Sequence, residues 1–137
     1  LLPGGRRVIK VLARFQSESS RVLAAAKRAT LKALGHAGGR IRLTAQRSIK
    51  PGNEPSAAGT PPNTKTRRLP KAIIYHVDRA AESVVIGPTS DIISDAASPH
   101  EHGGYYKGDL FQPRPFMGPA LEKNKPALAQ LWEDQIR

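Results

Sequence analysis

Apolar and small residues in the first third of the chain recur at the spacing of an α-helix. Between residues 16 and 50 one stripe repeats at steps of three, four or seven. It consists of Leu23, Thr30, Leu34, Ala37, Ile41, Ala45 and Ser48. Ser19 or Ser20 is suited to cap the start of this helix, because a serine side chain can accept a hydrogen bond from an unpaired backbone N–H.

Glycines interrupt this helical pattern near its middle. Each of Gly35, Gly38 and Gly39 costs about 1 kcal/mol relative to alanine inside a helix. The abundant alanines around them favour helix and permit a partner to approach closely. The sequence therefore predicts either a kinked helix or two helices that meet at the glycines.

The next segment, residues 51–68, reads PGNEPSAAGTPPNTKTRR and is dense in Pro, Gly, Ser, Thr and Asn. This composition is unsuited to a helix or an inner strand. A loop of this length without structure of its own is uncommon in a compact domain, and where one occurs it is usually functional or disordered. Two interpretations stay open: an arm that binds a partner, and a flexible linker.

Two short apolar runs, LPKAIIYHV and ESVVIG, follow on either side of DRAA. Enrichment in Ile, Val and Tyr around a turn predicts a β-hairpin. Alternation along the first strand places Ile73, Tyr75 and Val77 on one face and Ile74 and His76 on the other.

The region between this hairpin and the last helix is less regular. PTSDIISDAASPH, residues 88–100, suits either a loop or a short helix capped by Thr89 or Ser90. FQPRPFM, residues 111–117, predicts a last extended segment, because proline pushes its neighbours toward extended geometry.

The final segment predicts a helix from Pro119, a residue that the first turn of a helix accepts. Its apolar stripe consists of Leu121, Leu128, Leu131 or Trp132, and Ile136. Pro126 is expected to break or kink this helix, and Asn124 could cap the second piece.

Together these elements predict a single α+β domain over residues 1–137. A long N-terminal helix and a C-terminal helix pack on one face of a small antiparallel sheet, and the Pro/Gly-rich loop extends from it. No apolar run approaches the length of a membrane span, so no membrane partner is expected.

The net charge of +11 is unevenly distributed along the chain. Residues 1–50 contain twelve Lys or Arg and one acid, Glu18, whereas residues 51–137 contain ten residues of each sign. The whole excess therefore lies in the first third, which indicates a polyanionic neighbour: nucleic acid or an acidic protein surface. The residues assigned to this contact are Arg21, Lys27, Arg28, Lys32, Arg40, Arg42 and Arg47.

The sequence offers little to catalysis or cofactor binding. With no cysteine, it has no thiolate zinc site and no cysteine nucleophile. His100 and His102 would point the same way on a strand, but His36 and His76 are far off in sequence and no acidic cluster completes a metal site. The scattered acids suggest no pair for shared proton transfer. We therefore predict a protein that is not an enzyme and holds no metal or cofactor.

Nucleic-acid binding is the strongest alternative that the residues themselves raise. The basic residues could contact phosphates and give a salt-dependent affinity. Apart from Phe15, however, that region lacks the aromatic residues that stack on bases. Any DNA contact would therefore be made to the backbone, without sequence choice.

Three stretches, PGNEPSAAGTPPNTKTRRLPKAI, PHEHGG and PRPFMGPALEKN, together resemble the tail-completion (neck) proteins of tailed bacteriophages. The first is the loop and the strand that follows it. The matching positions are Gly59, Pro61, Pro62, Thr66, Leu69, Glu101, His102, Gly103, Arg114, Pro115, Phe116, Met117, Pro119 and Ala120. Arg67 stands where the family commonly has a glycine, and the resemblance also extends to tail-terminator and other head–tail connector proteins.

The resemblance implies a structural virion protein, made in the host cytoplasm, that joins the portal-side connector to the tail tube. Its subunits would form a homo-oligomeric ring of six. Partners would be a head–tail connector or adaptor protein, a tail tube or terminator protein and, without sequence choice, genomic DNA. Subunit or partner contacts are assigned to Pro61, Pro62, Thr66, Arg67, Arg68, His102, Tyr105, Tyr106, Arg114, Pro115 and Phe116.

Overall fold

The computed structural model of the 137-residue chain describes residues 9–93 and 97–136. Its elements in chain order are α1 (Ile9–Ser48), β1 (Lys50–Pro51), β2 (Asn63–Thr64), α2 (Arg68–Ala72), β3 (Ile73–Asp78), β4 (Ser83–Pro88), α3 (Ser90–Ile93), α4 (Ala97–His102), β5 (Gly104–Tyr106), β6 (Asp109–Phe111) and α5 (Met117–Ile136). The predicted α+β class is confirmed, because helices combine with small antiparallel sheets. No helix in these ranges is long and apolar enough to cross a membrane.

The N-terminal helix begins earlier than its pattern predicts. α1 is helical from Ile9, so Ser19 and Ser20 lie inside it and neither caps its start. The helix also continues through all three glycines, and two helices do not meet there. Packing of its C-terminal half against the rest of the chain stabilises the helix beyond what its glycines cost.

The predicted stripe of α1 is buried where other elements cover the helix. Leu34, Ala37, Ile41 and Ala45 are all buried. Leu23, by contrast, is 67% exposed. Near the end of α5, the indole Nε1 of Trp132 donates to Thr30 Oγ1 of α1 at 3.3 Å. Leu23 lies about two helical turns before Thr30, on the N-terminal side of this contact.

The hairpin of β3 and β4 lies directly on α1, at Gly38. A Cβ atom at this glycine would stand 2.6 Å from Cδ2 of Tyr75 and 2.9 Å from Cγ2 of Val84. Only a residue without a side chain fits at such a distance, so Gly38 permits close approach of hairpin and helix. At Gly35, by contrast, an added Cβ atom would have nothing within 4 Å, so no close contact requires a glycine there.

The register of this hairpin confirms the predicted alternation. Ile73 pairs with Pro88, Tyr75 with Ile86 and Val77 with Val84. Ile73 is fully buried and this face packs on α1, whereas Ile74, His76 and Val85 on the other face are exposed. Residues 69–72, which the apolar run had assigned to the strand, instead belong to the short helix α2.

Between the hairpin and the last helix, the structure has short helices and a second hairpin. Thr89 caps α3, since its Oγ1 accepts a hydrogen bond from the N–H of Asp91 at 3.4 Å. The predicted extended segment at 111–117 does not join the first hairpin. β6 ends at Phe111 and pairs with β5, and residues 112–115 belong to no strand. Prolines at 113 and 115 have no N–H to donate to a sheet.

The C-terminal helix half-buries Leu128, Leu131 and Trp132 of the predicted stripe, but its first turn buries Ala120 in place of Leu121. Ala120 and Asn124 are buried and Leu128 packs against the core, whereas Leu121 is 39% exposed. The helix continues through Pro126, so no second piece begins there and Asn124 is not its cap. The Asn124 amide instead donates to Ala120 O at 2.7 Å and to Thr44 Oγ1 of α1 at 3.0 Å. α5 therefore packs mainly along α1.

The loop at 51–68 folds back on the domain. β1 and β2 pair in parallel, with Lys50 opposite Asn63, and Gly52 N donates to Thr64 O at 3.0 Å. The amide of Asn63 closes the loop further by donating to Glu54 O at 3.2 Å. The two ends of the loop are therefore joined, and residues between them also contact the rest of the chain, since the N–H of Gly59 donates to Pro113 O at 2.8 Å.

Candidate functional site

Three segments that are distant in the chain meet at the start of α5. They are the loop between β1 and β2, helix α4 and residues 111–118, which we call the corner. We call the place where the three meet the loop–corner junction. Arg114 connects all three: its backbone N–H donates to His100 O at 2.6 Å, and its Nε donates to Ser56 O at 2.8 Å. The N–H of Gly59 also donates to Pro113 O at 2.8 Å, so backbone hydrogen bonds fix the loop to the corner.

The carboxylate of Glu101, on α4, caps the N-terminus of α5. Its Oε2 accepts from the N–H groups of Phe116 at 2.8 Å and Met117 at 3.1 Å, and its Oε1 accepts from Gly118 at 2.9 Å. A negative charge is favourable here, because the helix dipole places partial positive charge at this end.

Pro119 completes this arrangement. The first four N–H groups of a helix have no partner within the helix. Glu101 accepts from three of them, at residues 116–118, and the fourth position is a proline, which has no N–H. The start of α5 therefore leaves no backbone donor unsatisfied, and its position is fixed by α4.

Gly103 sets the distance between α4 and the corner. Its φ of +73° is strained for other residues, and an added Cβ would lie 3.0 Å from both the Phe111 carbonyl oxygen and Cδ of Pro113. Both backbone angle and space therefore favour glycine here. Gly103 is the first of the two glycines in the PHEHGG motif.

Phe116 anchors the junction in the hydrophobic core. Its side chain is 1% exposed and packs in a cluster with Ile41, Ile49, Ile73 and Ala120. The corner thus joins the core directly to the surface loop, as a rigid element would.

His100 and His102 lie on helix α4 rather than on a strand, so they do not point the same way. His100 packs edge-on against Phe111, with ring centroids 5.8 Å apart. The pKa of His100 is lowered, mainly by burial and to a smaller extent by the nearby positive charge of Arg114. These causes favour the neutral imidazole. Within residues 9–93 and 97–136, no group of three or more His, Asp or Glu is placed to hold a metal ion.

The residues assigned to subunit contacts differ widely in exposure. Thr66, Arg67, Arg68, His102 and Tyr105 are exposed; Pro61, Tyr106, Arg114 and Pro115 are half-buried; Pro62 and Phe116 are buried. The two buried residues pack inside the subunit, so they could support an interface but not form its surface.

The tip of the second hairpin presents apolar surface beside the junction. Tyr105 is 78% exposed, and Leu110, its partner across the hairpin, is 61% exposed. Tyr106 is instead held by Phe111, with centroids 6.2 Å apart, and by the Lys107 ammonium 5.4 Å from its ring centroid. Leu110 was not predicted from the sequence, because its exposure depends on the pairing of β5 with β6.

Six of the seven basic residues assigned to a polyanion are exposed along α1: Arg21, Lys27, Arg28, Lys32, Arg40 and Arg47. Arg42 is different. It is half-buried, and its Nε donates to Ile73 O at 2.8 Å, so it fixes the start of β3 to α1. Arg42 therefore has a contact within the chain, and its assignment to a DNA or acidic-partner surface stays a prediction.

The cap provided by Glu101 was also missed. In the sequence Glu101 is only the residue between His100 and His102 in PHEHGG, and its partners are fifteen to seventeen residues further on. The one available signal was the lack of a Ser, Thr, Asp or Asn near the start of the last helix, which indicates a cap from elsewhere.

A scan against protein-family models finds no match to this chain. Searches of the curated proteins and of the solved structures find no similar protein either.

Proposed function

We propose that this protein is a structural subunit of a tailed-phage neck, which forms a ring between the portal-side connector and the tail tube. One observation carries the proposal: the three stretches that resemble tail-completion proteins meet in space at the loop–corner junction. Arg114 and Gly59 join loop and corner, and Glu101 joins α4 to α5.

A rigid junction of this kind suits ring assembly. Identical subunits close a ring only if the angle between neighbours is accurate, and a core-anchored corner with fixed hydrogen bonds keeps that angle constant. The exposed tip at Tyr105 and Leu110 supplies apolar area beside the corner for a neighbouring subunit. A tail terminator or other connector subunit would use the same features.

The test is the mass of the purified protein in solution, measured by light scattering together with negative-stain images. We expect closed rings, either alone or after a connector protein is added. Leu110→Ser should abolish the rings while circular dichroism stays unchanged. Leu23→Ser, which changes an equally exposed leucine on α1, should leave them intact.

A different function has an observation in its favour, the exposed cations along α1. A persistent monomer that ignores virion components but binds duplex DNA in a salt-dependent way would overturn the neck proposal. It would identify instead a DNA-binding protein without sequence choice.

A further inference from the structure

A groove between α1 and α5 is lined by cations, by apolar side chains and by a few neutral polar ones. On α1, the residues at 40, 43, 44 and 47 share one helical face, and on α5 the residues at 119, 120, 123 and 124 do the same. The groove between these two faces has a volume of about 620 Å³. The Asn124–Thr44 hydrogen bond joins the helices at this place, so both walls of the groove are fixed.

Four exposed cations surround this groove: Arg40, Arg47, Lys50 and Lys123. A smaller depression shares Leu43 and Arg47 with it and adds Arg67 and Lys71. Within the part of the chain that the structure describes, no Asp or Glu lines either depression, and none of the four cations is held in an ion pair. We call this surface the basic groove.

The needs of the fold account for only part of this surface. Arg47 lies in the last turn of α1, where a cation stabilises the helix dipole. That reason does not extend to Arg40, Lys50 or Lys123, which add like charge around one depression at an electrostatic cost. An anionic partner would remove that cost.

The basic groove also has apolar lining, beside the polar side chains of Thr44, Ser48 and Asn124. Leu43 is 42% exposed and contributes to both depressions, while Pro119 and the buried Ala120 lie along the larger one. Single exposed leucines are ordinary on protein surfaces. Here, however, the leucine lines two depressions that are also lined by cations, a combination that suits an apolar side chain flanked by acids.

We propose that the basic groove docks an acidic peptide segment of a partner protein, with one apolar side chain of that segment inserted beside Leu43. Charge complementarity selects an acidic occupant, and the exposed apolar surface of Leu43 and Pro119 favours a peptide over a nucleic-acid backbone, whose phosphates gain nothing from apolar contact. The groove also offers no exposed aromatic ring on which a base could stack. The proposal does not depend on a role in a phage neck.

The test measures binding of a fluorescent peptide with a central leucine–phenylalanine pair between runs of glutamate, by anisotropy at low and physiological salt. The full chain is used. Two peptides serve as controls, one with glutamine for glutamate and one with serine for the apolar pair. We expect both changes to weaken binding, and we expect salt to weaken it too, because the cations are exposed.

Matched variants locate the binding site. Arg47→Gln combined with Lys123→Gln should weaken binding about tenfold. Leu43→Ala should weaken it as well. Arg79→Gln, an exposed cation on the first hairpin, and Leu23→Ala, an exposed leucine elsewhere on α1, should leave the affinity unchanged. Circular dichroism checks that every variant is folded.

Three results would overturn the proposal. The first is no measurable binding of the acidic peptide at low salt. The second is equal binding of the glutamine peptide. The third is displacement of the peptide by duplex DNA, if the affinity of the protein for that DNA falls in the double variant but not in Leu43→Ala. That result would reassign the groove to nucleic acid.

Discussion

At the start of α5, one carboxylate replaces the local cap that the sequence of the helix lacks. Glu101 accepts three backbone hydrogen bonds, and charged caps are stronger than neutral ones. Glu101→Ala should therefore lower the free energy of unfolding by about 2 kcal/mol, the upper end of the range for helix caps. Urea titration followed by circular dichroism measures this loss.

Glu122→Ala is the matched control for this prediction. Its carboxylate accepts a hydrogen bond from the exposed Lys125 at 2.8 Å, and an exposed pair on a helix contributes about 0.5 kcal/mol or less. Equal losses from the two substitutions would show that the Glu101 cap contributes no more than a surface ion pair.

Two glycines on α1 should respond in opposite directions to the same substitution. Gly35→Ala adds a methyl group in open space and should stabilise the protein by about 0.5–1 kcal/mol through helix propensity. Gly38→Ala places its methyl group 2.6 Å from the Tyr75 ring and 2.9 Å from Val84, and overpacking of this kind costs about 1–3 kcal/mol. Thermal unfolding of both variants measures the two shifts, and a stabilised Gly38→Ala would contradict the close packing of hairpin on helix.

At the scale of elements, Pro126 is the weak point of α5. It is exposed inside the helix, where it cannot donate to the carbonyl of residue 122. Pro126→Ala should raise the free energy of unfolding by about 1–3 kcal/mol. We expect a value in the lower part of this range, because proline also restricts the unfolded chain and the substitution loses that benefit. Pro119→Ala, in the first turn, should change stability by less than about 0.5 kcal/mol, since residue 119 is exposed and water can accept a hydrogen bond from the restored N–H. If chemical denaturation shows equal gains, the interior position of Pro126 is not the cause.

Helices and the first hairpin could be predicted from the sequence, because their periodicity reflects which face is covered. The alternation of Ile73, Tyr75 and Val77 is an example that the register confirms. At the start of α5 the buried residue is Ala120 and not the predicted Leu121, since the apolar stripe contained no sign that a buried Asn124 would bond to Thr44. Likewise the Glu101 cap and the bond from Arg114 to Ser56 depend on where distant segments meet, which no local pattern encodes.

At the scale of the whole molecule, the charge excess opposes the ring that we propose. Each subunit carries +11, and the exposed cations of α1 would repel those of neighbouring subunits as the ring closes. The range of this repulsion falls from about 30 Å to about 3 Å as ionic strength rises from about 0.01 M to about 1 M. Apolar contact at the hairpin tips is not weakened by screening.

Salt should therefore promote assembly of the purified protein. We expect the ring fraction, measured by light scattering, to rise with sodium chloride concentration. A variant with Arg21, Lys27 and Arg28 changed to glutamine should reach the same fraction at lower salt, because it has less charge to screen. Rings that dissociate as salt is added would show that ion pairs hold the subunits together, and the apolar tip at Tyr105 and Leu110 would then not be the main contact. A polyanion bound to the cations should have the same effect as salt, so assembly would be favoured where such a partner is present.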